Sequence, residues 1–175
     1  MFSEITELKK ILSQSQRLIV NHSGYIWEAS FQWYSPTNMI EIIQVENYLG
    51  MPLPNDFKLF LTQVSNGAML FHDSKDGQWG YEIYSIEKLV AKQSLWKNSL
   101  PATWQTTLIA FGELIGEANV LVFDSNRPTK DLESFAVLEG DAYESPVEWP
   151  LTSRSFHEWL DHLITAQGDK YWLWR

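Results

Sequence analysis

The stretch from Gly50 to Gly67 constrains this chain more than any other, because two prolines and two glycines punctuate it within 18 residues. Pro52 and Pro54 have a fixed φ and no backbone N–H, so no helix runs through them. Upstream, Thr37 or Asn38 opens a helix with Ile40, Ile43 and Leu49 expected inward, and Gly50 stands where a left-handed C-terminal cap belongs. Downstream, Asn55 or Asp56 is expected to cap a helix whose apolar face is Phe57, Phe60, Leu61 and Val64. Asn66-Gly67 ends that helix, so two short helices meet at a rigid corner and the chain then reverses.

Beyond this reversal the chain reads as strands. Ala68 to Phe71, Tyr81 to Tyr84, Leu108 to Phe111, Val120 to Phe123 and Phe135 to Leu138 are apolar runs of strand length separated by turn signals such as Asp76-Gly77. Ser85 caps one intervening helix with Ile86, Leu89 and Val90 inward; the other links are too short for crossover helices, which predicts a mainly antiparallel sheet.

Ahead of the corner, the alternation from Trp27 to Phe31 suits a short strand or an ordered aromatic loop. Ser3 is expected to start a helix through Ile5, Leu8 and Leu12, extending over residues 3–20. A last helix runs from Ser153 or Ser155 through Phe156, Trp159, Leu160, Leu163 and Ile164 to Gly168, followed by an apolar tail, Tyr171 to Trp174, able to dock. Helices before, within and after a run of strands, with no repeat or linker in 175 residues, predict a single α+β domain with a mainly antiparallel central sheet flanked by helices.

Chemistry finds little foothold. With no cysteine, thiolate catalysis, disulfides and Cys-ligated metals are excluded. His157 and His162 bracket Glu158 but lie five positions apart, about 140° around a helix, so they cannot close on one metal; Glu158 and His162 are instead spaced to pair on a solvated face. Asp73 to Gly77 begins like a calcium loop, yet Lys75 occupies a ligand position and Tyr84 stands where the closing Glu belongs, so a hairpin turn is expected. Gly112 and Gly116 read as turn or bulge glycines, and His22 and His72 as hydrogen-bonded structural residues. No catalytic, metal-ligating or cofactor-binding residue is assigned and no cofactor is implied. An enzyme with a dispersed site built on His72 or His22 and a carboxylate is the remaining catalytic reading, and it requires a deep pocket with strongly perturbed groups.

Charge is more informative. The net charge of −9 repels phosphate backbones and anionic lipids and favours a basic protein partner over nucleic acid or membrane. Most of it lies between 113 and 148, where Glu113, Glu117, Asp124, Asp131, Glu133, Glu139, Asp141, Glu144 and Glu148 face only Arg127 and Lys130. These carboxylates read either as a docking surface for a basic protein or as solubilising loop residues. Aromatic content of 14% suits both a core and an interface. The first 16 residues lack the apolar core of a signal peptide and no apolar run approaches the roughly 20 residues of a membrane span, so a cytoplasmic location is expected.

The order of these elements resembles the SUKH superfamily, known from fungal cell-wall synthesis regulators and bacterial immunity proteins that neutralise polymorphic toxins. Four segments carry the likeness: Trp33 to Pro36 followed by a helix and Leu49-Gly50; Leu53-Pro54-Asn55-Asp56-Phe57 leading through Phe60-Leu61 to Asn66-Gly67; Tyr84 to Leu89; and Ser155-Phe156 through Leu163. Between them, Phe111-Gly112-Glu113 with Asn119 to Phe123 resembles the family's central strand pair. The likeness spans roughly residues 30–167; the helix expected over 3–20 and the Trp-rich tail after Gly168 are additions to it. It implies a SUKH-like fold and a protein partner, such as the basic toxin domain an immunity protein blocks, or endogenous proteins bound by a regulatory scaffold. It carries over no catalytic residues.

Overall fold

The computed structural model describes residues 9, 17–20, 24–99, 104–127, 129, 134–141 and 143–174. Among the described residues, eight strands pair in sequence order, every neighbour antiparallel, into one sheet. They are β1 (Arg17–Val20), β2 (Ile26–Trp33), β3 (Ala68–Asp73), β4 (Tyr81–Ile83), β5 (Leu108–Leu114), β6 (Asn119–Asp124), β7 (Ala136–Asp141) and β8 (Leu151–Ser153). The helices are α1 (Met39–Leu49), α2 (Asn55–Gln63), α3 (Ile86–Ser99) and α4 (Phe156–Thr165), with a 3₁₀ turn at Tyr171–Leu173. The architecture is α+β, as the element order predicts.

The core lies where α2 and α4 meet β5 and β6. Phe57, Phe60, Phe111, Phe123, Phe156 and Trp159 are fully buried there, with Phe111 stacked on Phe123 at 4.1 Å and Phe57 edge-on to Phe156 at 4.9 Å. The sheet bends at bulges. One leaves Phe71 at φ 52°, held between the edge-on ring of Phe31 and the backbone of Gly168, where a Cβ would come within 2.5 Å of the Phe71 ring. Beyond the end of β4, the amide of Gln93 takes the place of a neighbouring strand, donating to the Leu108 carbonyl at 2.8 Å and accepting from the Ala110 N–H at 2.9 Å.

Several expectations are corrected. Residues 17–20 are strand rather than the end of a helix: the β-prone run Leu18-Ile19-Val20 pairs with residues 26–28. Of the helix expected before it, only Lys9 is described, and it is helical; the rest of residues 3–16 lies outside the described residues, as does His22. Ile40 and Ile43 point outward, and Ile42 and Val45 fill the buried face of α1 instead. Neither Asn55 nor Asp56 caps α2, which starts behind Pro54 without a side-chain cap. Glu158 turns back to accept the Arg154 N–H at 2.7 Å, while His162 lies edge-on to Tyr171 at 5.1 Å. The short β8 has no counterpart among the expected strands.

Other expectations hold. Asn38 caps α1 through the Ile40 and Glu41 N–H groups, Gly50 ends it at φ 72°, and Ser155 caps α4 through the Glu158 N–H. Asp73 closes a turn on the N–H groups of Asp76 and Lys75, bonds whose charge-dipole attraction holds its carboxyl below the usual range.

Candidate functional site

Seven of the 11 residues of α1 are large and apolar, more than one buried stripe needs. Ile42 and Val45 go inward, so Met39, Ile40, Ile43 and Tyr48 are left at the surface, 49%, 70%, 49% and 58% exposed. The helix also carries Glu41 and Glu46 and no basic residue. Glu46 is occupied at the proline corner, accepting from the Leu53 N–H at 2.9 Å and from Lys58 at 3.1 Å. Glu41 accepts the Thr37 hydroxyl on the exposed first turn.

Beside this stripe, α1 and α3 enclose a groove of about 450 Å³. Val45, Ile86 and Val90 supply its apolar lining, Gln44 and Tyr48 its α1 side, and Glu41 and Glu87 line it from the two helices. Glu87 is held below the usual carboxylate range by the Ser85 hydroxyl, its own backbone N–H and, more weakly, Asn66. Tyr48 separates this groove from a second cleft of about 380 Å³ that contains Ser94, Lys97 and Trp104, its hydroxyl sharing a 2.8 Å hydrogen bond with Ser94. Glu87 also borders a third cleft, about 330 Å³, that reaches Tyr34 and Lys88. A furrow thus follows α3, flanked by the exposed face of α1.

The acids singled out in the sequence are distributed differently. Glu113 accepts the Tyr84 hydroxyl at 2.8 Å and Lys92 at 2.6 Å, with Lys88 at 3.5 Å; burial raises its carboxyl, but these bonds outweigh it and hold the group below the usual range. Glu117 and Glu139 meet around Lys170 at 2.7 and 2.6 Å, and Glu139, 5% exposed, also accepts from Asn119 and the Trp172 indole. Asp124 is buried against Arg127 and the Asn126 N–H. Asp141 accepts the Tyr143 N–H, and Glu144 and Glu148 are exposed between β7 and β8. Asp131 and Glu133 lie outside the described residues.

The α1 face was therefore missed by sequence reasoning, although the excess of apolar positions on that helix was its visible sign. Among the described residues, no three acidic or histidine side chains gather as a metal site, and no helix is long and apolar enough to cross a membrane.

The SMI1 / KNR4 family (SUKH-1) model matches residues 36–162, from just before α1 into α4. The chain belongs to this family. The SUKH-1 match thus encloses the α1–α3 face as well as the proline corner. Two relatives in Bacillus subtilis (strain 168) are similar to it. "Uncharacterized protein YnaB" is 29% identical over 146 residues, 83% of this chain and 88% of the relative. "Uncharacterized protein YobM" is 25% identical over 133 residues, 71% of this chain and 64% of the relative.

Proposed function

We propose that this SUKH-1 protein is a non-enzymatic binding domain of the immunity type, which neutralises a basic toxin domain, such as a nuclease, by direct contact in the cytoplasm. The observation that carries this reading is the apolar face of α1, Met39, Ile40 and Ile43, exposed on a helix that bears two glutamates and no lysine or arginine. Large apolar side chains beside charge of one sign suit a protein partner of the opposite sign: burial supplies affinity, and complementary charge supplies encounter rate and selectivity. Of the nine acids between 113 and 148, the exposed Glu144 and Glu148 would add to the attracting field; Asp124 and Glu139 serve the fold instead.

The test is co-expression with any toxin domain encoded beside it, reading growth protection and co-purification at low and raised salt. Protection with a stoichiometric complex that weakens as salt rises supports the reading. Recovery of endogenous proteins alone, with no protection against that toxin, would replace it with a regulatory scaffold.

A further inference from the structure

We infer that the groove between α1 and α3 is a specificity pocket for one arginine side chain of the basic partner. This deepens the reading above and rests on it. An arginine side chain needs an apolar bed for its methylene stem and an anionic group for its planar head. The groove supplies both: Val45, Ile86 and Val90 as bed, and one glutamate from each helix, Glu41 and Glu87, in its lining. Its volume of about 450 Å³ falls within the range of roughly 300–1,000 Å³ in which discrete ligand sites lie.

Charge complementarity selects this occupant over an apolar or acidic one. Nearby cations are spoken for by other carboxylates: Lys58 by Glu46, Lys88 by Glu82 and Glu113, and Lys92 by Glu113. Among the described residues, no lysine or arginine lines the groove, and Lys97 belongs to the next cleft. Glutamates beside an apolar floor are met better by guanidinium than by ammonium, because guanidinium is weakly hydrated, bonds carboxylates through two parallel N–H groups and stacks on a ring such as Tyr48.

The probe is the capped tripeptide leucyl-arginyl-leucine amide, titrated into the ¹⁵N-labelled full chain and followed by amide chemical shifts, with the citrulline peptide as its uncharged isostere. The inference expects saturable shifts confined to α1 and α3, about tenfold weaker affinity for citrulline, and a similar loss in the E41Q/E87Q variant with its spectrum otherwise preserved. Equal response to citrulline, shifts centred elsewhere, or undiminished binding by E41Q/E87Q would overturn it. So would a doubling of mass with concentration that Ile40→Asp abolishes, since a second copy would then fill the face. The toxin assay separates the two levels: protection that survives E41Q/E87Q but not Ile40→Asp sinks the arginine pocket and leaves the immunity reading standing. Absence of protection by the unmodified chain, with arginine binding intact, does the reverse.

Discussion

The carboxylate of Asp56, in α2, accepts the backbone N–H of His157, in the first turn of α4, at 2.9 Å across 101 residues of sequence. Ser155 takes the next N–H, of Glu158, at 3.1 Å, so one helix lends a cap to another and fixes how they meet over the phenylalanine core. Burial raises the Asp56 carboxyl above its ordinary range even though the N–H bonds from His157 and Phe57 pull it down. Asp56→Ala is expected to cost about 2 kcal/mol in urea unfolding, the loss of a cap plus an orphaned buried donor. Asp56→Asn keeps one acceptor and should cost less. Because the folded value is raised, the native carboxyl contributes most below its unfolded value, and that contribution fades as pH rises through the folded one. The unmodified protein should therefore lose ground to Asp56→Asn as pH climbs out of the acid range.

The same exchange recurs at the other end of α2. Asn66 Oδ1 accepts the Ile86 N–H at 3.0 Å, sharing the start of α3 with the Ser85 hydroxyl, which takes the Lys88 N–H at 3.3 Å. Gly67 makes that approach possible: it sits at φ 86°, and a Cβ there would meet Ser85 N at 2.6 Å and Ile83 O at 2.8 Å, both backbone atoms that cannot swing aside. Gly67→Ala is expected to destabilise by about 3 kcal/mol, combining left-handed strain with a displaced β4–α3 junction. A thermal melt within about 0.5 kcal/mol of the parent would show that the junction yields freely.

These two caps also mark the limit of what could be read from sequence. The corner between Gly50 and Gly67 was legible because proline and glycine act locally, on their own φ and N–H. Asp56 and Asn66 looked like parts of that corner, yet each reaches a helix that only the fold brings near. The strands from Ala68 to Asp141 were legible as apolar runs, whereas β8 spans three residues and lacks enough pattern to be seen. On α1, Ile40, Ile42 and Ile43 offered competing stripes; packing of Ile42 and Val45 decided which went inward and turned the others into the candidate site. Which of the acids from Glu113 onward are consumed depended on Lys88, Lys92 and Lys170, cations on α3 and in the tail.

Adjacent isoleucines on α1 should behave oppositely. Ile42, fully buried, is expected to cost about 2–4 kcal/mol as Ile42→Ala, through lost burial and the cavity left behind. Ile40→Asp and Ile43→Asp, at positions 70% and 49% exposed, should leave stability within about 0.5 kcal/mol of the parent and abolish toxin protection. Thermal melts read the first effect and growth protection the second. Protection undiminished by both aspartates, in folded protein, would remove α1 from the interface.

Lys170 ties the tail to the sheet. Its side chain is 12% exposed and lies 2.6 Å from Glu139, whose side chain is 6% exposed, and 2.7 Å from Glu117, while the Trp172 indole donates to the other Glu139 oxygen at 2.6 Å. Removing the cation leaves Glu139 buried with its negative charge uncompensated, so Lys170→Met should cost about 3–5 kcal/mol. Lys170→Met with Glu139→Gln should recover much of that loss, since the charge and its partner then go together. Burial lowers the Lys170 ammonium, but its hydrogen bonds and proximity to Glu117 and Glu139 outweigh burial and raise it. A raised base contributes stability fully below its unfolded value, near 10.4, and loses it as pH rises through the folded value. The parent should therefore shed this increment only in strong alkali. Urea midpoints from neutral pH into that range, compared with those of Lys170→Met, should converge; a constant gap would place the stabilisation in packing of the lysine stem rather than in its charge.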